Sequence, residues 1–328
     1  MGLSAIPSRP RRYAGIARFL PPGNSGDTTF KSIAFLATVT VLGLAAAIVL
    51  AIVAGSLDSI RRFGFFGFLV SGAWDPVNEE FGALNVLVGT VVSSFIAVLL
   101  AVPVALGISI FITEMAPPYI RGVVAFLVDM LAAIPSIVYG LWGFFVLAPF
   151  IRGAVDPFLS GKLGWLPLFE GPGYGVSMLA AGLILAIMIL PITSAVAREV
   201  IGQVPRDQKE ALLSLGATKW EVIWKVSLPY ARGGILGAVI LGLARALGET
   251  MAVTMVIGNS HDLTWSLLKP NSTMASLIAN EFTEATYDLY VSALVHVGLV
   301  LMIVALIVSV AARALVWSVS KGQRGVAT

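Results

Sequence analysis

Long apolar runs alternate with short polar clumps along this chain. Nearly charge-free stretches cover residues 33–57, 81–113, 122–151, 171–197, 233–261 and 289–312. Each exceeds the ~20 residues that an α-helix needs to cross a hydrocarbon core of ~30 Å. The pattern predicts an all-α, polytopic membrane protein with six transmembrane helices. The runs from 81 and 122 are long enough to tilt or to extend past the bilayer. Pro103, Pro135 and Pro191 each interrupt a run, where a kink would free carbonyls to line a path. The first run exceeds the 7–15-residue apolar core typical of a signal peptide, so it reads as an anchor.

One polar stretch breaks this alternation. Residues 209–229 read KEALLSLGATKWEVIWKVSLP. Asp207 with Glu210, and Thr218 with Glu221, form two capping patterns, which predict helix starts eleven residues apart. Gly216 falls between them, where a left-handed residue would end the first helix, and Pro229 would end the second. Leu212, Leu213 and Leu215 give the first helix an apolar side; Trp220, Ile223, Trp224 and Val226 do so for the second. Such a pair lies along a membrane surface. It is a plain connector, a docking element for a partner, or a helix-turn-helix; tethering to spans on both sides argues against DNA.

Composition agrees with the pattern. The chain is 58% hydrophobic and only 12% charged, against about 25% charged in soluble domains. Its 33 glycines suit close packing of transmembrane helices. With no cysteine and two distant histidines (His261 and His296), a thiol-ligated metal site is excluded and a histidine metal cluster is not expected. No G-x-x-x-x-G-K-[S/T] occurs; SGKLG at 160–164 lacks the hydroxyl residue. Orientation follows from the 21 Lys and Arg. With the N-terminus inside, fifteen fall in inner segments, five in outer ones, and Arg245 within a span. The N-terminus, the polar stretch and the C-terminus therefore face the cytoplasm. The net charge of +3 reflects inner-surface anchoring, and no nucleic acid is implied.

Charge inside a span is costly, about 2.5–3.5 kcal/mol on insertion scales, so it should face protein or a wet path. Arg245 lies twelve residues into the fifth run, about 18 Å along a helix and near the midplane; Glu249 would follow one turn later on the same face. The pair is an internal packing device or a substrate site. As a site, Arg supplies a planar fork suited to an oxyanion, and a carboxylate accepts the proton of one still protonated near neutral pH, as phosphate is. Asp129, two turns into the third run, reads as a packing hydrogen bond. The Phe-rich segment 59–82 reads as interfacial. The acidic last outer loop (Asp262, Glu281, Glu284, Asp288) is solvated or meets a binding protein.

The polar stretch also resembles a known motif. Glu210, Ala211, Gly216, Leu228 and Pro229 fall at the spacing of the EAA loop of ABC-importer permeases, with Leu212 for its second Ala and Val226 for its Ile. EMAPP at 114–118, IPSIVYG at 134–140, WDP at 74–76 and RALGETMAV at 245–253 resemble the permeases of phosphate-specific transport (Pst) systems, the PstC-type subunit in particular. That resemblance implies a type I ABC-importer permease architecture. The helix pair would dock onto a separate ATPase, with Arg245 and Glu249 on the path of phosphate. It also implies a PstA-type second permease, two ATPase subunits holding ATP-Mg, and an extracytoplasmic phosphate-binding protein in a bacterial membrane. The expected layout is an inner N-terminal segment 1–31, a permease domain 32–318 with its coupling loop at about 198–232, and an inner tail 319–328. A permease for sulfate or molybdate, or a sensor subunit that does not transport, remains open.

Overall fold

The computed structural model describes residues 25–324, with side chains from 29 to 318. Most of the expected N-terminal segment and the end of the tail lie outside the described residues. Met1–Ala54 and Gly55–Thr328 form separate units. The described part of the first, residues 25–54, is all but the last residue of the helix α1, Ser25–Gly55. Its apolar side chains from Phe30 to Val53 are exposed apart from the half-buried Ile52, as on a helix that faces lipid.

The second unit holds the rest. After two short helices, α2 (Leu57–Phe63) and α3 (Phe65–Val70), comes a hairpin of β1 (Trp74–Asp75) and β2 (Glu80–Phe81). Then follow α4 (Leu84–Met115), α5 (Pro118–Ala132), α6 (Ser136–Leu163), α7 (Met178–Gly202), α8 (Arg206–Ser214), α9 (Lys219–Gly248), α10 (Met251–Val256), α11 (Met274–Glu281) and α12 (Asp288–Arg324). Six helices (α1, α4, α6, α7, α9 and the Asp288–Ser318 part of α12) are long and apolar enough to cross a membrane. The predicted number of spans is therefore met, but two of them are drawn differently.

The third apolar run is not one helix. Pro135, with φ −58° and ψ 142°, separates α5 from α6. Proline lacks the N–H that a continuous helix would need, and it disfavours helical geometry at Ile134. The 15 residues of α5 reach only about 22 Å. The span is α6, whose 28 residues carry the helix past Arg152 to Lys162, charges expected in the outer loop. Pro103 and Pro191, by contrast, stay inside continuous helices.

The fifth run also breaks, at its far end. α9 stops at Gly248, Glu249 is extended (φ −71°, ψ 129°), and α10 begins at Met251. At its near end α9 starts early. Pro229 does not end the second surface helix but sits in its continuation, directly after a widened π-type turn at Ile223–Ser227. Such a turn relaxes the i→i−4 ladder where proline has no N–H to give.

The core lies between α4 and α7. Small residues line the contact, with Ala97, Ala101, Ala180 and Ala181 buried, and a Cβ on Gly182 would sit 2.5 Å from Ile96 Cγ2. Only glycine permits that approach. Ser109 Oγ donates to the Ser194 carbonyl (2.9 Å), joining the two helices beside Pro191. A second cluster joins α3, the hairpin, α11 and α12. Here Phe68 is fully buried while Phe66 is exposed, so the Phe-rich segment is partly core.

Candidate functional site

The two ends of the bundle present different chemistry. At one end α8 and the start of α9 form a helix pair whose turn is built by the backbone. α8 ends with the Ala217 N–H donating to the Leu212 carbonyl (3.3 Å) and the Gly216 N–H to the Leu213 carbonyl (2.9 Å). This is the Schellman closure, and it requires the left-handed Gly216, at φ +87°. The next helix opens with a reciprocal capping box: Glu221 N–H donates to Thr218 Oγ1 (3.3 Å) and Thr218 N–H to Glu221 Oε2 (2.9 Å). The expected first cap differs. α8 starts after Pro205 with no side-chain cap, and Asp207 falls inside its first turn, where a carboxylate still favours the helix dipole.

Glu210, Ala211, Gly216 and Pro229 are all exposed, and Leu228 is half-buried. Around them Leu215 is 83% and Trp220 54% exposed, and Trp224 stacks edge-on against Trp220. A turn with exposed Leu and Trp beside acidic and basic groups is suited to a protein partner. The pair is held from behind by Glu114. Its Oε1 accepts from Lys209 Nζ of α8 (2.6 Å) and from Ser227 Oγ of α9 (3.0 Å). Glu114 belongs to the EMAPP segment at the end of α4; its motif was visible in the sequence, its role as a pin was not.

The midplane candidates separate. Because α9 ends at Gly248, Arg245 and Glu249 do not share a helical face, correcting the i, i+4 geometry expected of them. Arg245, in the last turn of α9, lines a cavity of about 280 Å³ with Asp129 and Ala132 of α5 and Met188, Pro191, Ile192 and Ala195 of α7. Glu249 is half-buried at the break, and its Oε1 accepts from Ala252 N–H (3.5 Å) at the start of α10. Asp129 stands in this cavity with Arg245, and both its oxygens accept from Arg198 Nη2 (3.2 and 3.1 Å). The sequence read Asp129 as a packing hydrogen bond, and the bonds from Arg198 of α7 are of that kind. Its neighbours come from α7 and α9, distant in sequence.

At the opposite end Glu281 is buried rather than solvated. It accepts from Trp74 Nε1 (2.6 Å), Tyr290 Oη (2.7 Å) and His261 Nε2 (3.1 Å), so it ties the hairpin to α11 and α12. Burial pushes this carboxyl up, but the hydrogen bonds from His261, Tyr290 and Trp74 outweigh it and hold it below its ordinary value. The bond to Glu281 in turn raises His261. Among the described residues no group of three His, Cys, Asp or Glu could hold a metal.

Comparison with known proteins supplies the relatives of this arrangement. Residues 81–321 match the family described as the binding-protein-dependent transport system inner membrane component. The chain is 45% identical over 314 residues to the phosphate transport system permease protein PstC of Mesorhizobium japonicum, covering 94% of each. It is 46% identical over 299 residues to the protein of that name from Pasteurella multocida, covering 90% of this chain and 93% of the relative. A chain of a solved bacterial alginate ABC transporter aligns with a TM-score of 0.60 at 14% identity, over 88% of this chain and 94% of that one. One in the MetNI methionine transporter aligns at 0.52 and 16%, over 70% and 93%. At those identities the structures speak for the fold alone, that of an ABC-importer permease. The chain belongs to the binding-protein-dependent transport system inner membrane components, and within them to the PstC-type phosphate transport permeases.

Proposed function

We propose that this chain is one membrane-spanning subunit of an ATP-driven importer of inorganic phosphate, forming part of the path and coupling it to an ATPase on another chain. The observation that carries the reading is Arg245 lining a cavity between α5 and α7 in a chain 45% identical to phosphate permeases. A guanidinium offers paired donors to an oxyanion. Asp129, in the same cavity, takes the part first given to Glu249: its remaining lone pairs can accept the proton of monohydrogen phosphate, a proton that sulfate lacks. Glu249 acts separately, at the break between α9 and α10, as the second member of the translocation site.

Glu210, Ala211, Gly216, Leu228 and Pro229 form the face that meets the ATPase. The chain itself is not an enzyme in this reading; ATP-Mg is held by two partner ATPase subunits. A PstA-type permease completes the path, and a phosphate-binding protein delivers from outside. The Lys and Arg asymmetry supports placing both termini and the helix pair in the cytoplasm of a bacterial cell. Vesicles carrying the two permeases and the ATPase, supplied with binding protein, ATP and labelled anion, test the whole reading. Phosphate uptake is expected. Uptake of sulfate or molybdate in its place would move the chain to another oxyanion, and ATP turnover without uptake would make it a sensor.

A further inference from the structure

Next to the coupling pair lies a second cavity that the transport reading does not use. It has a volume of about 480 Å³, and Thr113 of α4, Arg121 and Ala125 of α5, Arg198 of α7, and Arg206 and Lys209 of α8 are among its lining residues. Four cations from three helices converge there. Two are answered by carboxylates that do not line the cavity: Lys209 by Glu114 (2.6 Å) and Arg198 by Asp129 (3.1 Å). Arg121 donates to the Thr113 carbonyl (3.1 Å), which carries no charge. Arg206 has no hydrogen-bond or ion-pair partner among the described residues, and Arg198 Nη1 is buried with none. The cavity therefore keeps an excess of two positive charges, those of Arg121 and Arg206.

We infer that this cavity is a binding site for a phosphate dianion group, with Arg121, Arg198 and Arg206 as its ligands. A dianion neutralises the excess of two, where a carboxylate would leave one charge. Three guanidinium groups from separate helices can surround a tetrahedral oxyanion, whereas a planar carboxylate has only two oxygens to share. The site differs from the Arg245 cavity. Arg121 lies eleven residues from Ala132 on α5, about 16 Å, and the Arg198–Asp129 pair stands between them. An anion here would bind α8 to α5 and α7, so its occupancy bears on the coupling pair directly. The cavity lies where α4 and α7 turn at Pro117 and Pro205, at the ends of two spans. Free phosphate and the phosphomonoester headgroup of phosphatidate can both present the required dianion there. The inference rests on this charge arrangement and not on the transport reading.

The test uses the full chain in nanodiscs of phosphatidylcholine with labelled orthophosphate at pH 8, where the dianion dominates. Arg121→Ala/Arg206→Ala removes the two cations outside ion pairs and should weaken binding at least tenfold, whereas Arg245→Ala should leave that component in place. Arg206→Lys, which keeps the charge, guards against misfolding and should fall between. A second set of discs contains phosphatidate, and native mass spectrometry reads the retained lipid. If a headgroup is the occupant, wild type retains phosphatidate, the double variant loses it, and added phosphatidate abolishes orthophosphate binding. Either pattern upholds the site and names its source. Binding of both probes undiminished in the double variant, or phosphate binding lost only with Arg245, overturns it.

Discussion

A guanidinium lining a cavity can hold an oxyanion through two parallel N–H bonds, which a lysine ammonium in the same place cannot reproduce. Arg245→Lys is therefore expected to lose phosphate uptake about as fully as Arg245→Ala, by tenfold or more, in vesicles matched for protein. Reciprocal charge removal separates this from a packing role. In a helical ion pair, deleting both charges would relieve the stranded one. Here α9 ends at Gly248 and the two side chains face different surroundings. Arg245→Leu/Glu249→Leu should take up no more phosphate than Arg245→Leu alone; recovery in the double variant would restore the ion-pair interpretation.

Among the elements, the coupling pair is the one whose shape hangs on a single backbone angle. Gly216 is at φ +87° with open space around its Cα, so a side chain there meets no neighbour but does meet its own backbone. A β-branched residue in this conformation costs on the order of 1–2 kcal/mol, while asparagine visits it readily. Gly216→Val should reduce co-purification of the ATPase severalfold while the chain still inserts, and Gly216→Asn should retain most of it. Equal retention by both variants would separate docking from the turn. Glu114→Ala acts from behind, since it strands Lys209 and releases Ser227. It is expected to lower ATP-driven uptake more than ATPase binding, measured side by side, because it loosens the joint without altering the exposed face.

At the scale of the whole molecule, orientation and the far end can be tested separately. A reporter fused after Lys162 should read as extracytoplasmic and one after Lys219 as cytoplasmic; the opposite pattern would invert every site assignment. At the far end, the His261–Glu281 contact is strongest when the histidine is charged and the carboxyl is not protonated. His261 is raised above 6.5, so its contribution is full below that value and is lost as pH climbs through the raised one. Glu281 is lowered below 4.5, so its contribution is present above 4.5 and is lost in stronger acid. The pair thus supports the hairpin most between about pH 4.5 and 6.5. Half-exposure of His261 limits this to less than about 1 kcal/mol. His261→Gln should flatten the fall in thermal stability between pH 6 and 8; an unchanged slope would place that pH dependence elsewhere.

Apolar run length and local backbone chemistry were readable directly. Six helices long enough to span, the left-handed Gly216 and the Thr218–Glu221 box all follow from interactions within a few residues. The EAA spacing was legible for the same reason, being a feature of one continuous segment. Where a helix stops inside an apolar run was not legible. Hydrophobicity treats 122–151 and 233–261 as uniform, although Pro135 and the Gly248–Glu249 step divide them. The members of each cavity were invisible too. Arg245 shares a cavity with Asp129, Asp129 meets Arg198, and Glu114 meets Lys209 across 69 to 116 positions of sequence. A charge in an apolar run announces that it needs a partner, because burying it alone costs too much. Which partner it finds depends on the packing of α5 and α9 against α7, and that is a property of the folded bundle.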